Sequence, residues 1–149
     1  SGGTGTEATM DLGGDLDRTA IYVRYADVNG REAGPFAFSF DPRTALAANQ
    51  RKLLEVTPSA WVDWAADRDQ LYFGHLITYR CAIRQADIGF GDAAPATPLP
   101  LPPCDPKNPY AKPPDATSSV PVPDDARSVG VQLTWDDGTR SGIQVFRRP

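Results

Sequence analysis

One strand-turn-strand pattern occurs twice in this chain of 149 residues, near its two ends. The run from Val23 to Phe38 lies without a gap on the run from Val131 to Phe146, at an offset of 108 residues. Val23/Val131, Gly30/Gly138, Gly34/Gly142 and Phe38/Phe146 are identical, and Tyr25/Leu133, Asn29/Asp137 and Ala33/Ser141 are close substitutes. Leu12/Val120, Asp17/Asp125 and Ile21/Val129 hold the same register upstream. Alternating apolar residues, then Asx-Gly, then a second alternation form a hairpin signal, because Asx and Gly tolerate the positive φ of tight turns between twisted strands. The pattern points to an all-β fold. Two arrangements are open: both hairpins in one core spanning 9–149, or a first hairpin (9–40) that is the tail of one sandwich followed by a second sandwich over 41–149.

With 40% hydrophobic residues the chain can bury one substantial core, so a single domain over 9–149 is the simpler expectation. The formal charge of −4 and the lack of any basic run beyond Arg147-Arg148 argue against nucleic acid or an anionic membrane surface as partner. No apolar stretch approaches the roughly 18 residues of a membrane span. Residues 1–8, which begin Ser1-Gly2-Gly3-Thr4-Gly5-Thr6, read as a flexible linker or an expression remnant. Abundant Ala, Asp, Arg, Pro and Gly suggest a GC-rich bacterial source.

After the first hairpin, Asp41-Pro42 offers a capping carboxylate followed by Pro at the first helical position. A short inserted helix is expected over about 43–55, with Leu46, Asn49/Gln50, Leu53 and Leu54 on its apolar side and Thr57-Pro58 ending it. Trp61 to Trp64, Leu71 to Tyr79 and Ala82 to Phe90 are β-branched and aromatic runs bounded by turn residues, and each reads as a strand. A long proline-rich loop covers about 94–114 and should run over the surface as polyproline II. Ser118 to Val122 is expected as a further strand, for about eight strands in all. Strands spaced by turn signals with no alternating helices imply a sandwich or barrel.

The segment from Val120 to Ser141, with its Val-Pro-Val-Pro-Asp-Asp turn, alternating Val129, Val131, Leu133 and Trp135, and Asp137-Gly138, resembles the last strands of immunoglobulin-like and fibronectin type III-like bacterial modules. The resemblance covers mainly residues 116–149 and, more weakly, Thr9 to Phe40. It implies an immunoglobulin-like antiparallel β-sandwich and carries no functional residues with it.

Cys81 and Cys104 are the only cysteines, too few for a zinc site beside a single His, which leaves a disulfide or two free thiols. A bridge would close a loop of 23 residues and stabilise the fold by about 3 kcal/mol in the chain-entropy model. It would also imply an oxidising, extracytoplasmic compartment; free thiols would fit the cytoplasm. His75 is the one candidate general base, with Asp63, Asp67 and Asp69 nearby in sequence, but no nucleophile motif accompanies it. Asp15/Asp17, Asp27/Asn29 and Asp136/Asp137 could supply calcium oxygens, yet they stand where turns use Asx side chains to bond their own backbone. Neither a metal nor a cofactor is expected.

Trp61, Trp64 and Tyr72 are the binding candidates. In a strand, residues three apart face opposite sides, so one of the two indoles should leave the core. Pro95-Ala96-Thr97-Pro98 and Pro100-Leu101-Pro102-Pro103 have P-x-x-P spacing without a supporting Arg. The expected function is a non-catalytic accessory or protein-interaction module of a larger exported bacterial protein, with a protein or a neighbouring domain as partner. The alternatives are a carbohydrate-binding module using the exposed aromatics on a polysaccharide, and a small hydrolase centred on His75.

Overall fold

In this computed structural model the described residues are 18–149, so the linker expected over 1–8 and the Asp15/Asp17 pair lie outside them. The chain falls into two compact units, one ending at Thr44 and the other Ala45–Pro149. Among the described residues the structure is β-rich: nine strands, every pairing antiparallel, and few helices.

The first unit is the expected hairpin, β1 (Thr19–Ala26) and β2 (Glu32–Phe40). Its turn is closed by the Asp27 N–H donating to Arg31 O (2.8 Å) and the Gly30 N–H donating to Asp27 O (2.9 Å). Gly30 sits at φ +77°, the left-handed region where a Cβ would be strained, and Asp27 Oδ1 accepts the Asn29 and Arg31 N–H groups. Pairing runs Ala26↔Glu32 and Tyr25↔Ala33, then skips to Val23↔Phe36. Gly34 and Pro35 therefore oppose Arg24 alone, as a bulge. Glycine is required there, since a Cβ at Gly34 would stand 2.6 Å from Val23 O.

Helix α1 (Pro42–Val56) begins where the Asp-Pro signal places it, with Asp41 Oδ1 accepting the Arg43 N–H (3.1 Å) and the Thr44 N–H (3.4 Å). Its buried stripe is Ala47, Gln50 and Leu54, while Leu53, expected on the apolar side, is exposed. Adjacent helical positions point about 100° apart, so Leu53 and Leu54 cannot both face one core.

Within the second unit, β3 (Asp63–Trp64), β4 (Gln70–Tyr72) and β7 (Ser119–Pro121) form a three-stranded sheet. A four-stranded sheet has the order β6 (Thr97–Pro98), β5 (Ile83–Phe90), β8 (Ser128–Trp135), β9 (Gln144–Arg147). One core draws on both: Leu71 from the first sheet, and Ala86, Ile88, Val129, Val131 and Leu133 from the second, are buried together with Leu54, Trp61, Phe73, Leu76 and Ile77. Period-two alternation in β8 makes this possible, because Val129, Val131, Leu133 and Trp135 all point inward.

Two expected strands are corrected. Of the run 71–79 only its start is extended, in β4; after Phe73 the chain turns into helix α2 (Gly74–Thr78), so His75 lies on a helix. Leu71 and Phe73 satisfy period two, whereas Phe73, Leu76 and Ile77 satisfy helical spacing, and burial of Leu76 and Ile77 decides for the helix. Of the run 61–64 only Asp63–Trp64 is strand. Trp61 instead caps a single 3-10 turn, Pro58–Ala60.

The proline loop is held at neighbouring points. Cys81 and Cys104 form a disulfide, with their Cα atoms 4.7 Å apart. The adjacent Arg80, although buried, donates to Ile77 O (2.9 Å), Pro103 O (2.9 Å) and Pro109 O (3.4 Å). Those bonds satisfy a guanidinium that would be costly to bury unpaired. At its start the loop is not free polyproline II: Thr97–Pro98 pairs with Ile88 and Asp87, and the Leu99 N–H donates to Ala86 O. Pro98 is tolerated because β6 is an edge strand. Close packing follows at Gly89, where a Cβ would collide with the Ala93 and Ala94 carbonyls.

Candidate functional site

The residues singled out from sequence occupy different settings. Trp61 is 2% exposed, and its indole N–H donates to Leu54 O at 2.9 Å, so it is a core residue pinned to the end of α1. Trp64 pairs with Leu71 on the inner face of its sheet, half-buried, with the Arg148 guanidinium 5.9 Å from its ring centroid. Arg148 also donates to the Pro123, Asp124, Ala126 and Arg68 carbonyls, fastening the chain end across the turn before β8. Tyr72 pairs with Asp63 and Ser119 and is 46% exposed. Trp64 is less buried than Trp61 but packs against the same core, so neither indole leaves it, and strand alternation does not separate them because Trp61 lies outside any strand.

His75 bonds to Thr57, Nε2 to Oγ1, at 3.0 Å. The Thr57 hydroxyl donates its only proton to Leu53 O (2.7 Å), so Nε2 carries the hydrogen of this pair and His75 takes no proton from Thr57. The pair ties α2 to the end of α1 and does not activate a nucleophile. Burial holds the imidazole below its ordinary pKa, which favours the neutral ring. Tyr79 meets the ring edge-on at 4.9 Å. Neither of two open grooves along the proline loop, of about 490 and 380 Å³, is lined by His75. Asp137 and Asp27 take their turn roles: Asp137 Oδ1 accepts the Thr139 N–H and hydroxyl, and Oδ2 meets Arg51 at 3.2 Å. Among the described residues no group of three or more His, Cys, Asp or Glu is placed to hold a metal.

The most distinctive surface lies on the first hairpin. Alternation and register put Ile21 opposite Phe38, Val23 opposite Phe36 and Tyr25 opposite Ala33, so these side chains share one face. Tyr25 and Phe36 stack with centroids 6.0 Å apart. Yet Tyr25 is 56% exposed and Phe38 57%, and Val23 and Phe36 are also exposed. No family model, curated protein or solved structure matches the chain.

What the face resembles is inside the same molecule. The second hairpin, β8–β9, repeats the first position by position at the 108-residue offset. The Trp135 N–H donates to Thr139 O (2.8 Å) and the Gly138 N–H to Trp135 O (2.9 Å), with Gly138 at φ +86°. Ser128↔Arg147, Val129↔Phe146, Gly130↔Val145 and Val131↔Gln144 reproduce the pairs from Ala20↔Ser39 to Val23↔Phe36. Thr134↔Arg140 and the Ser141 N–H on Leu133 O then place the extra residue within Gly142-Ile143 opposite Gln132, where the first hairpin has Gly34-Pro35 opposite Arg24. Sequence reasoning found the repeat but missed Val23, Tyr25, Phe36 and Phe38 as surface residues. Their alternation was visible; what fails to cover them was not.

Proposed function

We propose that the chain is a non-catalytic accessory or protein-interaction module, an immunoglobulin-like sandwich within a larger exported protein. The observation carrying this reading is the exposed apolar face of the first hairpin. A contiguous strip of Val23, Tyr25, Phe36 and Phe38 suits a protein surface, since aromatic residues on a rigid sheet supply contact area at low entropic cost. The Cys81–Cys104 bond supports an extracytoplasmic setting, because such bonds persist in oxidising compartments. Two antiparallel sheets sharing one core support the sandwich. The aromatics singled out for a carbohydrate site do not form a stacking row, since Trp61 is buried, Trp64 packs against the core and Tyr72 stands exposed between Asp63 and Ser119.

The test is site-specific photo-cross-linking in cells that make the protein. A photoreactive residue at Phe36 should yield adducts with another polypeptide segment, and one at Ala37, on the opposite face, should not. Phe36→Ala should weaken the same association by about 2 kcal/mol or more if the ring is a hot spot, and His75→Ala should leave it unchanged. Equal labelling from both faces would count against the proposal.

A further inference from the structure

The second unit shows what a hairpin of this kind is built to receive. There β8 is an interior strand: β9 pairs along one edge and β5 along the other, through Phe90↔Val129, Ile88↔Val131 and Ala86↔Leu133. Val129, Val131 and Leu133 are each 0% exposed and belong to one core with Leu54, Trp61, Leu76 and Ile77. Their equivalents are Ile21, Val23 and Tyr25, and the equivalent of the half-buried Phe146 is Phe38. Among the described residues β1 pairs with β2 alone, leaving the edge that β5 occupies in the second unit without a strand. A free strand edge and an apolar face on one hairpin are each an association hazard, and one partner strand over a core removes both.

We infer that the first hairpin closes a preceding copy of the second unit's fold, and that its apolar face and the open edge of β1 receive the body of that copy. The occupant is a segment equivalent to residues 45–127, supplied by the same polypeptide ahead of β1. It contributes a strand in the role of β5, antiparallel to β1, and an apolar core beneath Ile21, Val23, Tyr25, Phe36 and Phe38. Three features of the repeat specify this occupant: the turn, the pairing register and the bulge all recur at the 108-residue spacing. A generic sticky hairpin would not need the bulge at the same place. The order of the second unit fixes the connection, since its body runs directly into β8. The inference rests on the reading of this face as an interaction surface and names its partner as a neighbouring repeat in a tandem array.

The test extends the chain at its amino end. Residues 45–127 replace residues 1–19 ahead of Ala20, the equivalent of Ser128, which gives two bodies and two hairpins at the natural spacing. Hydrogen exchange of the β1 amides is compared with that in the unextended chain. A slowing of roughly 100-fold is expected, in the range that separates an open strand edge from a core strand. A control extension carries the sequence of 128–147 in place of 20–39. Protection of β1 only in that control overturns the inference, and so does a lack of protection in both. In either case adducts from Phe36 but not Ala37 would leave the interaction reading standing. Protection that appears in the unextended chain as its concentration rises assigns the face to a second copy in trans and also overturns the inference. Core-like protection of β1 in the unextended monomer would mean the face is closed within the chain, and both readings fail together.

Discussion

Leu133 and Tyr25 occupy the same position in two hairpins that share turn, register and bulge, yet one is sealed and the other has more than half its surface in water. The contrast separates two causes that are usually entangled. Asx-Gly chemistry and alternation set the hairpin's own geometry, for they produce it in both places. Burial is set by whatever lies alongside: for the second hairpin, the paired strand β5 and a core it shares with Leu54, Leu76 and Ile77. Hairpin geometry is thus a local property of these residues and burial a tertiary one.

That separation breaks most visibly under truncation. Leu133→Ala removes a fully buried side chain and should destabilise the second unit by about 2–5 kcal/mol. Tyr25→Ala, at the equivalent place, should shift the melting transition of the unextended chain by no more than about 0.5 kcal/mol. Thermal or denaturant unfolding followed by tryptophan fluorescence reports the second unit, because Trp61, Trp64 and Trp135 all belong to it. Comparable losses from the two substitutions would mean that the first hairpin's face is as buried in solution as the second's.

A smaller effect should be the same in both hairpins. Gly30→Ala and Gly138→Ala each force an L side chain into the left-handed region, at a cost of about 1–2 kcal/mol. Gly30 has open space where the Cβ would go, whereas the Cβ at Gly138 would stand 3.1 Å from Arg84 Nη1, in a guanidinium that donates to Asp136 O and would have to give slightly. Backbone strain is the effect the two sites share. Amide exchange in each turn, referred to the unsubstituted chain, should rise by a similar factor. An effect confined to Gly138 would show that tertiary context, and not the turn, selects the glycine.

The same division explains what was legible in the sequence. Both turns, the start of α1 at Asp41-Pro42, the irregular proline segment and the Cys81–Cys104 pair depend on local chemistry or on counting, and all are read from a few neighbouring residues. The helix at His75 was not legible, because Phe73, Leu76 and Ile77 fit two periods and burial chose between them. Arg80 reads as a surface cation; its burial depends on the Pro103 and Pro109 carbonyls arriving from a loop more than twenty residues away. Trp61 reads as part of a strand because its neighbours are β-formers, while its backbone N–H closes a turn on Pro58 O and its indole N–H reaches Leu54 O of α1. The hairpin face was written plainly in the alternation of Val23, Tyr25, Phe36 and Phe38, and alternation is silent on whether a partner is present.

The smallest expected difference lies in acid. Asp137 is held below the usual carboxylate pKa first by the Thr139 hydroxyl, then by the Thr139 N–H and by Arg51. Its equivalent in the first hairpin is Asn29, which has no proton to gain. A depressed folded-state pKa means that the unfolded chain takes up the proton first, so this contribution is fully present above about pH 4 and disappears as pH falls through the lower folded-state value. The carboxylate is open to solvent and screened, so the effect on global stability is slight and is best read locally. Amide chemical shifts of Thr139, followed from pH 6 downward by NMR, should titrate with a midpoint below about 3.9. Asp137→Asn, which copies the first hairpin's residue, should abolish that titration while preserving the turn, because the amide oxygen still accepts from Thr139. If the turn opens in the Asn variant at neutral pH, the carboxylate charge and its pairing with Arg51 hold it closed, and the two turns are alike in shape but not in what maintains them.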